Sequence, residues 1–223
     1  PNGAFGEPNQ TAAVFSFTFP LLLAKIVGKT NKKPIYIILA VAMLAALATT
    51  GSRGGILGTS VASLMFLWYV NKQVSMGNKL TFSIAAPIMF VVAWLIMPAY
   101  YQELLISRFS FLGEGSIDYS EASTGRTDIW AYAFAFWAER PIFGWGWAGY
   151  QIVGGHATHS IYLERLTDTG LVVFIIFMII QFRVWFCLFD TRKYARGETK
   201  LSLGAMAAGV LGLYVSLLFV NLY

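Results

Sequence analysis

Residues 154–189 read GGHATHSIYLERLTDTGLVVFIIFMIIQFRVWFCLF. The first half holds His156 and His159 and the charged residues Glu164, Arg165 and Asp168, whereas the second half is apolar except for Gln181 and Arg183. No period-two alternation marks it as a barrel strand, and about 20 apolar residues in a row suffice for a helix to cross a bilayer. The stretch predicts a helix over 160–189 with polar outer turns and a buried remainder.

The same pattern recurs on either side. Residues 11–27, 35–50, 56–70, 80–97 and 201–220 are further apolar runs of helical length. Pro20 would kink the first, Pro34 suits the first turn of the second, and Pro98 ends the fourth. The connectors that fall on one side carry Lys25, Lys29, Lys32 and Lys33, then Lys72 and Lys79, then Arg192, Lys193, Arg196 and Lys200. Basic loops stay in the cytoplasm, so the N-terminus of the chain, the turn around residue 53 and the C-terminus are predicted outside. The long segment 99–158 sets Arg108, Arg126 and Arg140 against Glu103, Glu114, Asp118, Glu121, Asp128 and Glu139, with no lysine, as an external loop would.

The expected architecture is an all-α, polytopic bundle of six spans. Hydrophobic residues make up 57% of the chain and charged residues 12%. With a mean hydropathy of +0.62, this excludes an ordinary water-soluble domain and makes the lipid bilayer the first partner. The net charge of +5 sits in short loops between apolar runs, a distribution that excludes nucleic acid as the partner. Cys187, the sole cysteine, forbids an internal disulfide. The chain opens on Pro1 with no signal-like segment, and residues 1–223 read as the C-terminal part of one polytopic domain, with 99–158 as a loop within it.

Chemistry-bearing residues cluster on the outer side. Arg53, in TTGSRGGILG, is the cation of a tight turn whose glycines, Gly51, Gly54, Gly55 and Gly58, would let backbone N–H groups approach an anion. A guanidinium there adds a bidentate clamp for phosphate; the competing reading is an arginine snorkelling to the headgroups. In GRTDIWAYAFAFWAERP, Trp130, Phe134 and Trp137 form an aromatic stripe at helical spacing, with Asp128 near the positive end of the helix. Such a helix would lie half-immersed in the interface and hold Arg126 at headgroup depth, unless Arg126 pairs with Asp128 or Glu139. FGWGWAGY, which follows, is either an interfacial aromatic belt or the lining of a sugar or lipid path.

His159 stands just before its helix, where the positive dipole end favours a neutral ring that can accept a proton. A structural histidine bonded to a loop carbonyl is the rival. His156 and His159 form an H-x-x-H pair, but the chain has no further His and one Cys, too few for a zinc site of three or four such ligands. Glu164, Arg165 and Asp168 form a local charge network in which either carboxylate would alternatively orient His159 or bind sugar hydroxyls. Arg183, six residues before Phe189, is expected to snorkel and is left out of the site.

In their order, FGEPNQTA, SRGGILG, GRTDIW, PIFGWG and HSIYLERLTDTG resemble the O-antigen ligase and polymerase superfamily of bacterial inner-membrane glycosyltransferases, which includes O-linked oligosaccharyltransferases acting on protein. Members resemble one another in a histidine, a small polar residue, a nine-residue gap and a glycine; His159, Ser160 and Gly170 fit. Ligases often have a small or polar residue three positions later, where this chain has Val173, a departure toward the polymerases. The resemblance implies a GT-C-like, cofactor-free and metal-independent transfer of a glycan from an undecaprenyl-diphosphate carrier. The acceptor hydroxyl would belong to lipid A core, another glycan or a protein, on the periplasmic face of the inner membrane.

It further implies Arg53 and Arg126 as diphosphate binders, His159 as the group that activates the acceptor, and Asn9, with Gln10, as a sugar contact. A transporter would need polar groups near the bilayer midplane, which these spans lack apart from Arg183. A non-catalytic membrane scaffold would tolerate loss of His159 and both arginines.

Overall fold

The computed structural model describes residues 7–71, 91, 94–95, 98–109, 126–155 and 157–220. The expected fourth span, 80–97, lies almost wholly outside these residues, as does His156. The described residues form helices and connecting turns, with no strand among them. In chain order the helices are α1 (Pro8–Val27), α2 (Lys33–Thr49), α3 (Arg53–Asn71), α4 (Ala99–Phe109), α5 (Arg126–Glu139), α6 (Gly149–Gly154), α7 (Ile161–Thr191) and α8 (Gly197–Leu217).

Among the described residues, α1, α7 and α8 are long and apolar enough to cross a membrane, and α2 is a shorter apolar helix. With the composition, they make this a membrane protein. The chain divides into two compact units, Pro1–Ile106 with Trp185–Ser216, and Ser107–Val184 with Leu217–Tyr223.

In the first unit, α1 begins at Pro8, three residues before its expected start. Pro8 occupies the first turn, where its fixed φ is already helical and its missing N–H costs nothing, and Thr11 N–H reaches the Glu7 carbonyl (3.3 Å). Asn9 and Gln10, expected in a loop, therefore belong to the helix, each half-buried. Likewise α3 starts at Arg53 because Ser52 caps it: Ser52 Oγ accepts the Gly55 N–H at 3.2 Å.

This changes the reading of the glycines after Arg53. A methyl group at Gly55 would meet Ala12, and one at Gly58 would meet Ser216 and the Gly212 carbonyl, so these positions are filled by neighbouring helices rather than open to an anion. The helices meet through small residues, Gly204, Ala208, Gly212 and Ser216 recurring every four positions along α8. Where α1, α3 and α8 approach, Ser16 Oγ lies 2.7 Å from Ser216 Oγ, 3.2 Å from Thr59 Oγ1 and 3.1 Å from the Gly55 carbonyl. Thr59 Oγ1 donates to Gly55 O (2.8 Å) and Ser216 Oγ to Gly54 O (3.3 Å), and all three hydroxyl residues are buried. Below this knot Phe19, Leu23, Ala40, Phe66, Val70 and Ala205 close an apolar core.

In the second unit, Ala133 and Phe136 of α5, Tyr150 of α6, and Leu163 and Leu166 of α7 form the buried core, flanked by Trp130, Trp137, Trp145 and Phe174. The inward face of α5 is thus centred on Ala133 and Phe136; of the expected aromatic stripe, Trp130 and Trp137 pack inward, whereas Phe134 is exposed. Helix α7 is not continuous. Gly170 adopts φ 70°, ψ 179°, a conformation reserved to glycine, so two helices meet there. Burial also runs opposite to expectation: the buried residues of α7 all lie between Ile161 and Gly170, and none of its apolar spanning stretch is buried in protein. At ~1.5 Å per residue the 31 residues of α7 would reach ~46 Å, well beyond a hydrocarbon core of ~30 Å; the portion after Gly170, residues 171–191, matches that core.

Replacing Gly58 with leucine should lower the unfolding temperature of the protein in detergent micelles by several degrees. Ser216→Ala, which removes one hydroxyl and adds no bulk, should cost only about 1 kcal/mol. A G58L protein melting with the wild type would mean that the helices do not meet here.

Candidate functional site

The break at Gly170 strips α7 of its regular hydrogen bonds, and the loop after α5 replaces them. Trp145 N–H donates to Thr167 O (3.0 Å) and Gly146 N–H to Asp168 O (2.8 Å), while Leu171 N–H donates to Pro141 O (2.8 Å). Gly144, at φ 68°, lies flat against this junction, where a side chain would strike the Asp168 carbonyl; one at Gly170 would strike that of Ile142. The Asp168 carboxylate completes the brace, accepting Ala148 N–H at 2.9 Å and Tyr150 N–H at 3.4 Å. Asp168 is 1% exposed, so its observed work is to hold backbone donors at the start of α6.

Aromatic side chains fasten the same loop to α5. Trp145 stacks on Phe136 (4.3 Å between ring centroids), its indole N–H reaches the Phe136 carbonyl left open near the end of α5 (2.8 Å), and the Arg140 guanidinium lies 4.1 Å from its ring centroid. Tyr150 sets its ring edge-on to Phe136 and donates its hydroxyl to Ile129 O (3.4 Å). Burial, and secondarily the neighbouring Tyr132, push the Tyr150 hydroxyl above the ordinary tyrosine pKa, which keeps it a donor. Arg165 acts electrostatically on Asp168, as expected, and its guanidinium also lies over Trp147, 5.2 Å from the ring centroid.

His159 is held at one corner of this unit. Its φ is 54°, left-handed and rare outside glycine, although histidine adopts it more readily than most residues. Both neighbours are locked: Thr158 Oγ1 accepts the Ser160 N–H (3.2 Å) and donates to the Ser160 carbonyl (2.9 Å), and both residues are buried. Trp130 ties this clamp to α5 by donating its indole N–H to the Thr158 carbonyl at 2.9 Å. His159 itself is half-buried, its backbone pinned before the first turn of α7, which Glu164 N–H closes on Ser160 O (3.0 Å).

Arg126, the first residue of α5, is about one helical turn from Trp130, roughly 6 Å along the axis. Both face Phe219, the guanidinium 6.0 Å and the indole 6.2 Å from its ring centroid. The second unit therefore brings Arg126, half-buried, and the His159 clamp to one neighbourhood through Trp130. Glu164 is buried on the first turn of α7. Arg53, half-buried with its Nε shielded from solvent, and Asn9 belong to the first unit.

Sequence reasoning missed Trp130 as the link between arginine and histidine, and the brace across Gly170. Gly144 and Gly146 in FGWG, and Gly170 two residues after Asp168 in TDTG, are the signal for the brace. No three of His, Cys, Asp and Glu form a metal-sized cluster among the described residues.

Gly170→Ala should cost about 1–3 kcal/mol in backbone strain alone and displace the loop. Asp168→Ala should leave the helices intact while raising hydrogen exchange at Ala148 and Tyr150, measured by mass spectrometry on the detergent-solubilised protein. Unchanged exchange there would remove Asp168 from the brace.

No curated protein and no solved structure matches the chain. A family model described as O-Antigen ligase matches residues 38–178, more than half of the chain. The matched range takes in Arg53, the α5 helix with Arg126, the aromatic loop, the His159 clamp and the break at Gly170. The protein belongs to the O-antigen ligase family.

Proposed function

We propose that the protein transfers a glycan from an undecaprenyl-diphosphate carrier to an acceptor hydroxyl at the periplasmic face of the bacterial inner membrane, in the manner of an O-antigen ligase or polymerase. Family membership supports the class of reaction, and the apolar helices support its place in a membrane. The observation that carries the reading is the clamped, left-handed, half-buried His159, tied by Trp130 to the helix that begins at Arg126. Backbone strain persists only where the surroundings over-determine it, and it gathers at sites that need a side chain held in place.

In this reaction the acceptor oxygen forms a bond to the anomeric carbon of the sugar as the bond from that carbon to the diphosphate oxygen breaks. The acceptor proton passes to the His159 imidazole, and the negative charge accumulates on the departing undecaprenyl diphosphate. Arg126 and Arg53 would each offer that charge a planar fork of donors, which strengthens as charge develops. Six spans, the external placement of residues 99–158 and the assignment of Arg53 to the leaving group are parts of the same proposal. Asn9 and Glu164 are assigned to sugar or acceptor contact, and Asp168 acts through the loop it braces.

The test is an in vitro assay with an undecaprenyl-diphosphate oligosaccharide and, in turn, lipid A core, a second repeat unit and a protein acceptor. His159→Ala should reduce turnover by about 10²–10⁴-fold and Arg126→Ala by about 10²–10³-fold. Arg126→Lys should recover little, since an ammonium lacks the fork. Chelator should leave the rate unchanged. Full activity in H159A at unchanged membrane level would refute the mechanism, and chelator-sensitive turnover would return the histidine pair to a metal role.

A further inference from the structure

At the opposite end of the first unit from Arg53, along α3, the chain leaves a polar cleft of about 170 Å³. Lys25, Lys29, Thr30, Tyr36, Glu198 and Ser202 supply its polar groups, with Ala24, Gly28 and Leu201 as its apolar floor. It opens where α1 ends and α8 begins: Gly28 N–H closes α1 on Ala24 O (2.9 Å), and a Cβ at Gly28 would come within 3.9 Å of Glu198 Oε1. We infer that this cleft binds a phosphate group at the membrane surface, as carried by an anionic phospholipid headgroup or by the free ion.

Lys25 and Lys29 bring two like charges to one cleft, and among the described residues no carboxylate comes within ion-pair distance of either. Glu198, the acid in the cleft wall, compensates at most one of them. Lys32 on the α1–α2 connector, Lys33 at the start of α2 and Lys200 in the first turn of α8 add positive charge on the segments that carry the lining residues. The hydroxyls of Thr30, Tyr36 and Ser202 supply neutral donors to an anion that the lysines attract.

Depth also fits. The apolar cores of α1 and α8, both long enough to span, stop at this cleft, so its mouth stands at the headgroup layer. A basic pocket between spanning helices at that level is suited to an anionic lipid headgroup. Lysine, a compact point charge with rotatable donors, suits the changing orientation of a phosphodiester better than a rigid fork would. This site is independent of the glycan-transfer reading and uses none of its residues.

The full chain, purified in a neutral detergent, should gain thermal stability on addition of phosphatidylglycerol but not of phosphatidylcholine. In the Lys25→Gln/Lys29→Gln double variant, apparent affinity for phosphatidylglycerol should fall on the order of tenfold. The Lys193→Gln/Arg196→Gln variant loses the same charge outside the cleft and should keep wild-type affinity. An equal shift with inorganic phosphate alone, lost in the same double variant, would identify the free ion as the occupant. Equal responses to the two lipids and no response to phosphate, or equal losses in both double variants, would overturn the site; gel-filtration profiles of each variant establish that it is folded.

Discussion

One exchange of backbone hydrogen bonds organises the second unit. A helix interrupted at Gly170 exposes carbonyls and an N–H that a membrane protein cannot leave bare, and the 141–148 loop supplies the complementary groups. Trp145, Gly146 and Leu171 carry the three bonds, and the Asp168 carboxylate adds two more. Burial pushes the Asp168 carboxyl above the ordinary carboxylate pKa, while the backbone donors at Ala148, Tyr150 and Gly149, together with Arg165, pull it back down. Because the loop is stacked on α5 through Trp145 and Phe136, fixing the break also fixes α5 against the beginning of α7. Trp130 then reaches Thr158, and the orientation of the His159 backbone follows from packing on both sides.

The first unit rests on a different economy. Without a hydrophobic drive between helices in lipid, close approach depends on small side chains and on hydroxyls that satisfy one another. Ser16, Thr59 and Ser216 do this in a volume that excludes any larger residue at Gly58 or Gly212. The glycines following Arg53 thus have a packing duty irrespective of any ligand.

The helical class of the fold is legible in runs of apolar residues long enough for helices, α1, α7 and α8 among them; the basic connectors bear on the side each loop faces, a separate matter from helix formation. The starts of α1 and α3 were misplaced by a few residues, since Pro8 and Ser52 act at the level of a single turn. The break in α7 was hidden because a glycine beside a long apolar run reads equally as tolerated helix; only its contact with Ile142 and Gly144, far back in the chain, decides the matter. The same limit applied to Gly55 and Gly58, whose neighbours come from α1 and α8. His159 was legible as a residue but not as a geometry, and Asp168 was legible as a charge but not as a cap for distant N–H groups. Long-range partners, not local propensities, separate these cases.

The hydroxyl knot has a consequence for what lies above it. Sliding α3 by one residue past α1 and α8 would rotate it by about 100° and strand buried oxygens without donors, so its register is quantised rather than continuously adjustable. Arg53 sits six positions before Thr59 on that same helix, roughly 9 Å along its axis. The height and compass bearing of the Arg53 backbone therefore follow from a register that three small polar residues hold, so evolution cannot easily retune the arginine's reach without first rebuilding its foundation.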